Sequence, residues 1–249
     1  MKTLLLTLCL SLASLAAPRA ETLHFVTEEY PPFNYLKDGR ITGVGVEQAE
    51  AIARAAGIDY TLEIMPWARA FALAEHQPMH CVFTTGYNRE RADRFVWIGP
   101  LLKDQIILLK RKGDGHGGLT LAEALKLKVG SQRGDFAVEA LATMGFKNVD
   151  LAADIDVTVG KLLSGRIDLL PAPANAYRRM IAEGLPVEKA MTMAGQVYGI
   201  ACQKDMPRTI VERLQAELDK LILNGSQNRI FKAYGLPPNT HGAENDAMK

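Results

Sequence analysis

Apolar and polar positions along the chain switch between two periods. Leu23-His24-Phe25-Val26-Thr27 is a short β-rich run that leads to a Pro31-Pro32 turn; Val46 to Ala56 then carries apolar residues at helical spacing, with Gly57 as its stop. Tyr60 to Met65 predicts a second strand, Ala68 to Glu75 a helix, and Cys81-Val82-Phe83-Thr84-Thr85 a third strand. This βαβαβ order predicts a mostly parallel sheet flanked by helices. The apolar run Gln105 to Leu109 leads into Lys110 to Gly118, a polar, glycine-rich stretch that reads as a loop at a boundary. A second α/β unit follows: a strand at Lys128 to Gly130, helices at Phe136–Met144 and Val157–Leu163, and a strand Ile167 to Leu170 that stops before Pro171. Val197 to Cys202 predicts a further strand and Thr209 to Leu223 an amphipathic helix ended by Asn224-Gly225. No internal repeat is visible. Two α/β lobes joined by extended crossovers are the economical architecture, and the cleft between such lobes is where a ligand is expected.

The first twenty residues follow neither period. Lys2 precedes an apolar run from Leu4 to Ala17, and small residues come before Glu21, the pattern of a secretory leader cleaved after Ala20, or alternatively after Ala16 or Ala17. The run is shorter than the roughly 20 residues of a spanning helix. Cys9 lies inside the run and does not read as a lipoprotein cysteine. The expected organisation is therefore a leader over 1–20, a first lobe from 21 to 104, a second lobe from 105 to 195, and a return to the first lobe over 196–249.

With 48% apolar and 23% charged residues, the 249-residue chain supports a real core and is neither disordered nor low in complexity. Its formal charge of +1 becomes −1 once Lys2 and Arg19 leave with the leader. Such a balance provides no phosphate-neutralising face and argues against nucleic acid as a partner. Export would leave Cys81 and Cys202 as the only cysteines, in a compartment that permits them to pair or to remain two buried thiols.

Catalytic and metal motifs fail on spacing. Ser131 in Gly130-Ser131-Gln132-Arg133-Gly134 sits one place too early for a nucleophile elbow. Pro78 interrupts the His76/His80 pair, and no third metal ligand accompanies it. Gly43-Val44-Gly45 lacks the third glycine and the acid of a dinucleotide site and reads as a turn into a helix. No cofactor or metal is expected.

Glu28-Glu29-Tyr30-Pro31-Pro32-Phe33-Asn34-Tyr35, followed by Gly39, Gly43 and Val44-Gly45-Val46-Glu47, resembles the start of bacterial extracellular solute-binding proteins of the polar-amino-acid ABC transporter type. Further landmarks of that family follow in order: Met65-Pro66-Trp67, Glu90-Arg91 with Phe95-Val96-Trp97, Leu125 to Gly134, Ile167 to Leu170, Tyr198 to Ala201, and Asn224-Gly225 to Tyr234-Gly235. The resemblance implies a two-lobed periplasmic-binding fold of type II that closes on a small polar solute, a monomer that serves an inner-membrane ABC permease from the periplasm without catalysing a reaction. The same fold also serves enzymes such as cyclohexadienyl dehydratases, and ligand-presenting signalling proteins, which stand as alternatives.

The resemblance also implies a ligand set. Tyr30 and Trp67 would supply aromatic walls. Arg91 would clamp a carboxylate through its planar fork, with Arg89 or Arg94 as the inward residue if the loop is shifted. Thr84, Thr85 and Gly86 would present hydroxyl and backbone groups. In the second lobe Gln132, Gly134, Asp135 and Phe136 form a strand-to-helix turn suited to an anion, or simply a helix capped by Asp135. One departure stands out: where amino-acid binders place an Asp for the ligand ammonium, this chain reads Pro171-Ala172-Pro173-Ala174-Asn175. An ammonium would then need Asp135, Glu28 or Glu29 instead, and a carboxylate lacking an ammonium is the other option. The family alignment also places Cys81 beside Cys202 on neighbouring antiparallel strands and so implies a disulfide.

Overall fold

The computed structural model describes residues 22–114 and 118–239, so the expected leader and Cys9 lie outside the described residues. The first lobe begins with β1 (Leu23–Thr27), a small hairpin β2 (Tyr35–Lys37) and β3 (Arg40–Thr42), then α1 (Val44–Ala55), β4 (Tyr60–Ile64), α2 (Trp67–His76), β5 (His80–Gly86) and the single-turn α3 (Arg89–Ala92). β6 (Phe95–Arg111) crosses into the second lobe, which holds α4 (Leu121–Ala124), β7 (Val129–Gln132), α5 (Phe136–Met144), β8 (Val149–Ala152), α6 (Ile155–Leu163), β9 (Leu170–Pro173) and α7 (Ala174–Ala182). β10 (Val187–Gln203) returns, and α8 (Arg208–Leu223) and α9 (Ser226–Ala233) pack on the first lobe.

The main sheet has the order β4-β1-β5-β10-β6-β9. Its β4-β1-β5 part is parallel, as the βαβαβ pattern predicts, while β10 runs antiparallel to both β5 and β6. β7 and β8 form a parallel pair, tied to the rest by a Val129–Leu169 bridge. Gly43-Val44-Gly45 enters α1 as a turn: Gly43 has φ +130°, and a Cβ there would lie 2.2 Å from the Phe33 carbonyl oxygen. No helix of the described residues is long and apolar enough to cross a membrane.

Two expectations about the crossover region need correction. The loop expected from Lys110 begins later, because β6 continues to Arg111 and pairs Lys110 with Glu188 and Arg111 with Val187 of β10. The strand expected to stop before Pro171 instead runs through Pro171 and Pro173, with Leu170 opposite Leu109 and Pro173 opposite Ile106. Proline is tolerated there because β9 is the edge strand, where one row of backbone donors has no ladder partner to lose.

The core of the first lobe gathers Phe25, Ile52, Phe83, Ile98, Ile200 and Leu214 around Cys81 and Cys202, all without solvent exposure. Cys202 stands opposite Cys81 in the β5–β10 ladder, and the structure joins them in a disulfide 121 residues apart in sequence. Cross-linking so long a loop removes entropy mainly from the unfolded chain. Replacing both cysteines by serine is expected to cost about 2–5 kcal/mol of unfolding free energy; chemical denaturation of oxidised wild type and the double variant at equal pH measures it.

Candidate ligand cleft

The polar residues that the sequence brings to the lobe junction come from strand ends and helix starts. From the first lobe, Glu28 and Tyr30 follow β1, Trp67 opens α2, Gly86 ends β5 and Asn88 caps α3. From the second, Gln132 ends β7, Asp135 caps α5 and Phe136 is its first residue. These are the positions at which open α/β sheets present groups to a ligand.

Arg91 is the most buried charged side chain at this junction, at 1% exposure. Asn88 fixes its backbone, accepting from the Arg91 N–H at 2.9 Å, and the Phe71 ring lies 5.0 Å from its guanidinium carbon. Arg91 Nη2 donates to the Gly134 carbonyl at 3.0 Å, and the Trp67 indole N–H donates to the same oxygen at 2.8 Å. Gly134 has φ +75°, the left-handed conformation that glycine adopts without strain, and this turn aims its carbonyl at the first lobe. Glu139 of α5 stands 3.6 Å from Arg91 Nη2 and also accepts from the Asn88 amide. Arg91 Nε and Nη1 have no partner among the described residues. Arg89 and Arg94 point outward, Arg94 making a paired contact with Glu75 at 2.7 Å.

A second group of polar side chains includes Glu28 and Gln132. Gln132 donates from Nε2 to the Glu28 carboxylate at 2.6 Å, while Gln132 Oε1, itself buried, receives no hydrogen. Ser131 Oγ and the Tyr198 hydroxyl are likewise buried without partners. Phe136 and Tyr198 meet edge to face at 5.8 Å, as do Tyr30 and Phe33. Burial pushes the Glu28 carboxyl up to about 8, opposed by the Gln132 hydrogen bond and reinforced by the charges of Asp135 and Asp154. Burial also raises Asp135, against the pull of the Ala137 N–H and Arg91, and lowers Arg91, against the pull of Glu139 and Asp135.

Of the residues singled out from the sequence, Trp67, Gly86, Arg91, Gln132, Gly134, Asp135 and Phe136 converge where the lobes meet. A Cβ on Gly86 would stand 2.7 Å from the Phe136 ring, so the glycine lets the second lobe approach. Tyr30 sits at the edge of this group, beside Ile155, Val159 and Met180 of the second lobe, at a cavity of about 90 Å³. The two threonines are placed differently. Thr84 is the extra residue of a bulge opposite Gly199/Ile200, at φ +56°, and its hydroxyl lies against Gly45, while Thr85 donates to Val82 O at 3.1 Å. Asp135 caps α5, its Oδ1 accepting from Ala137 N at 3.0 Å, so the anion-binding turn is already occupied by the chain's own carboxylate. Glu29 binds Leu36 N in the β2 hairpin, away from Gln132. Sequence reading did not single out Asn88 or Glu139. The Asn88 cap, three residues before Arg91, was a readable signal, whereas nothing local marks Glu139. Among the described residues no group of three side chains could hold a metal ion.

Because the folded chain holds the Glu28 proton more tightly than the unfolded one, this group binds more proton in the folded state between pH 4.5 and about 8, and its contribution to stability falls as pH rises through that window. Wild type is therefore expected to lose stability relative to Glu28→Gln across this range, with a slope of up to about 1.4 kcal/mol per pH unit, and to match it below pH 4; urea titrations of both proteins at several pH values check this.

The chain is similar in fold to several solved proteins. The arginine-, lysine-, histidine-binding protein ArtJ from the thermophilic bacterium Geobacillus stearothermophilus superposes with a TM-score of 0.80 at 18% identity, over 92% of this chain and all of that one. An ancestral arginine-binding protein bound to arginine gives 0.77 at 21% identity, over 87% and 98% of the two chains. A histidine kinase sensor domain with similarity to periplasmic binding proteins gives 0.79 at 20% identity, over 88% and 99%. No curated protein matches by sequence. The model of one family matches residues 23–237, and the chain belongs to the bacterial extracellular solute-binding proteins, family 3.

Proposed function

We propose that this protein is an exported periplasmic receptor that closes its two lobes on a small polar solute, an amino acid or related carboxylate, and delivers it to an ABC permease, with no reaction catalysed. The observation that carries this reading is Arg91: a guanidinium at 1% exposure, held on Phe71 and by Asn88, with Nε and Nη1 unpartnered beside the opposing lobe. Leaving such donors unsatisfied is costly, and a solute acceptor group removes the cost. Trp67 and Arg91 converging on the Gly134 carbonyl give the second lobe a docking point that exists only when the cleft is shut. The family supports the receptor role, and the low-identity fold relatives named for arginine support a nitrogen-rich or amino-acid-like solute.

A thermal-shift screen of ligand-stripped protein against amino acids, organic acids and polyamines is expected to yield one compound class that stabilises by about 2.7 kcal/mol at hundredfold excess over Kd. Arg91→Ala is expected to weaken that compound by about 2–4 kcal/mol, some 30- to 1000-fold, and Arg91→Lys to recover only part, since lysine keeps the charge without the fork. A screen with no shift, or a shift indifferent to Arg91, contradicts the reading. Gly86→Val, which drives a side chain into the Phe136 ring, is expected to hold the lobes apart: ligand-induced compaction in solution X-ray scattering should disappear while the Cys81–Cys202 core keeps its melting temperature.

A further inference from the structure

The two lobes face each other a second time, at a groove of about 620 Å³ apart from the cleft. Its first-lobe wall includes Tyr35 and Lys37 of β2 and Glu47 of α1, and its second-lobe wall is formed by Asn175, Arg178 and Arg179 of α7. It shares no lining residue with the group that gathers around Arg91 and the Gly134 carbonyl. The volume is in the range of small-molecule sites, roughly 300–1,000 Å³.

The charge of the lining is one-sided: Lys37, Arg178 and Arg179 stand against a single carboxylate, Glu47, which accepts from the Tyr234 hydroxyl at 2.6 Å. Arg179 is already partnered. Its Nε donates to Glu183 at 2.7 Å, and its guanidinium carbon lies 4.6 Å from the centre of the Tyr35 ring, a contact that reaches from one lobe to the other. Lys37 has no ion pair among the described residues. Arg178 donates only to a neutral acceptor, Asn175 Oδ1, at 2.6 Å. Its charge also acts on Asp104, whose oxygens are taken by the backbone N–H groups of Gln105 and Asn175.

Exposed cations alone would not make a site, because solvent and salt screen them. Asn175 supplies the second observation. Its side chain is at 3% exposure, fixed by the bond of its N–H to Asp104 and by the Arg178 hydrogen on Oδ1, and its Nδ2 has no acceptor among the described residues. A buried amide donor left without an acceptor is costly, and an anionic oxygen removes the cost. Arg178 keeps the rest of its planar fork free for the same purpose. We propose that this groove is a second binding site, for a small multivalent anion whose carboxylate or phosphate oxygens take hydrogens from Arg178 and Asn175 on one wall and from Lys37 on the other.

The site goes beyond the receptor reading and has its own consequence for the lobes. Its walls belong to different lobes, so a bound anion favours the arrangement that holds them at this spacing, the same arrangement in which Trp67 and Arg91 reach Gly134. Occupancy of the groove and closure of the cleft are then coupled, each raising the other.

The test is isothermal titration of the protein with pyrophosphate and with citrate, against acetate as the monovalent counterpart, at an ionic strength held constant with sodium chloride. At least one of the two multivalent anions is expected to bind about tenfold or more tightly than acetate, and Arg178→Gln and Lys37→Gln are each expected to lose about fivefold or more of that affinity. Which of the two binds separates phosphate from carboxylate chemistry. Arg91→Ala, in the cleft, and Lys126→Gln, outside the groove, should leave the affinity unchanged, and matching melting temperatures show that the variants fold. Hydrogen exchange with the tighter anion present should slow in both the β2–β3 hairpin and α7. Neither anion binding more tightly than acetate, or Lys126→Gln costing as much as Lys37→Gln, overturns the site. A loss confined to Arg91→Ala moves the anion to the cleft and overturns it as well. A loss in Arg178→Gln alone, with exchange slowed only in α7, overturns the bridge between the lobes.

Discussion

Everything at the cleft depends on the pairing of two 17-residue strands, β6 and β10. They run antiparallel from Phe95 opposite Gln203 to Arg111 opposite Val187, and both lobes are built on them. Three bulges break the ladder, between Lys189 and Met191, Thr192 and Ala194, and Tyr198 and Ile200, each adding a local bend to a pair that would otherwise be a stiff ribbon. The lobe boundaries expected from sequence, at 104/105 and 195/196, lie opposite each other on this ladder, where Gln105, Ala194 and Gly195 are exposed. Below that point the Cys81–Cys202 bridge binds β10 to the parallel part of the first lobe. Above it, Asp104 reaches across to accept from Asn175 N at 3.0 Å, serving as the cap that Pro173 cannot provide for α7.

The polar contacts where the lobes meet centre on a backbone acceptor. A carbonyl at Gly134 takes hydrogens from Trp67 and Arg91 without adding a charge, which leaves the charge of Arg91 to be set by Asp135 and Glu139. Such contacts contribute about 0.5–1.5 kcal/mol each, more where a charged group donates. Asp135 has two duties there. As the α5 cap it holds the Gly134 turn in place, and its charge acts on Arg91 across the junction.

Where local sequence decided the outcome, the structure was legible. Helix α5 spans Phe136 to Met144 as its apolar spacing and the Asp135 cap imply, α8 starts within a residue of expectation, and the three parallel strands of the first lobe fall at their β-rich runs. Where tertiary pairing decided, it was not. The strand β6 begins ten residues before the apolar run at Gln105, takes in Gly99-Pro100, and stays extended because β10 matches it along its length. The prolines of β9 read as a stop because their tolerance depends on an edge position that only the finished sheet defines. The site divides in the same way. Arg91, Trp67 and the Gly134 turn stand in recognisable order, while Glu139 and the pairing of Glu28 with Gln132, 104 residues apart, exist only once the lobes meet.

Arg91 and Glu28 both belong to the first lobe, while Gln132, Gly134 and Glu139 come from the second. On the receptor reading proposed above, the open first lobe presents Arg91 to a solute before closure, and the second lobe then docks its Gly134 carbonyl on Trp67 and Arg91. An ionised Glu28 is tolerable while water reaches it and unfavourable once burial and the charges of Asp135 and Asp154 act on it, a cost that the Gln132 amide only partly offsets. On that reading an empty cleft closes with a proton on this carboxyl, and closure and protonation are linked through one side chain.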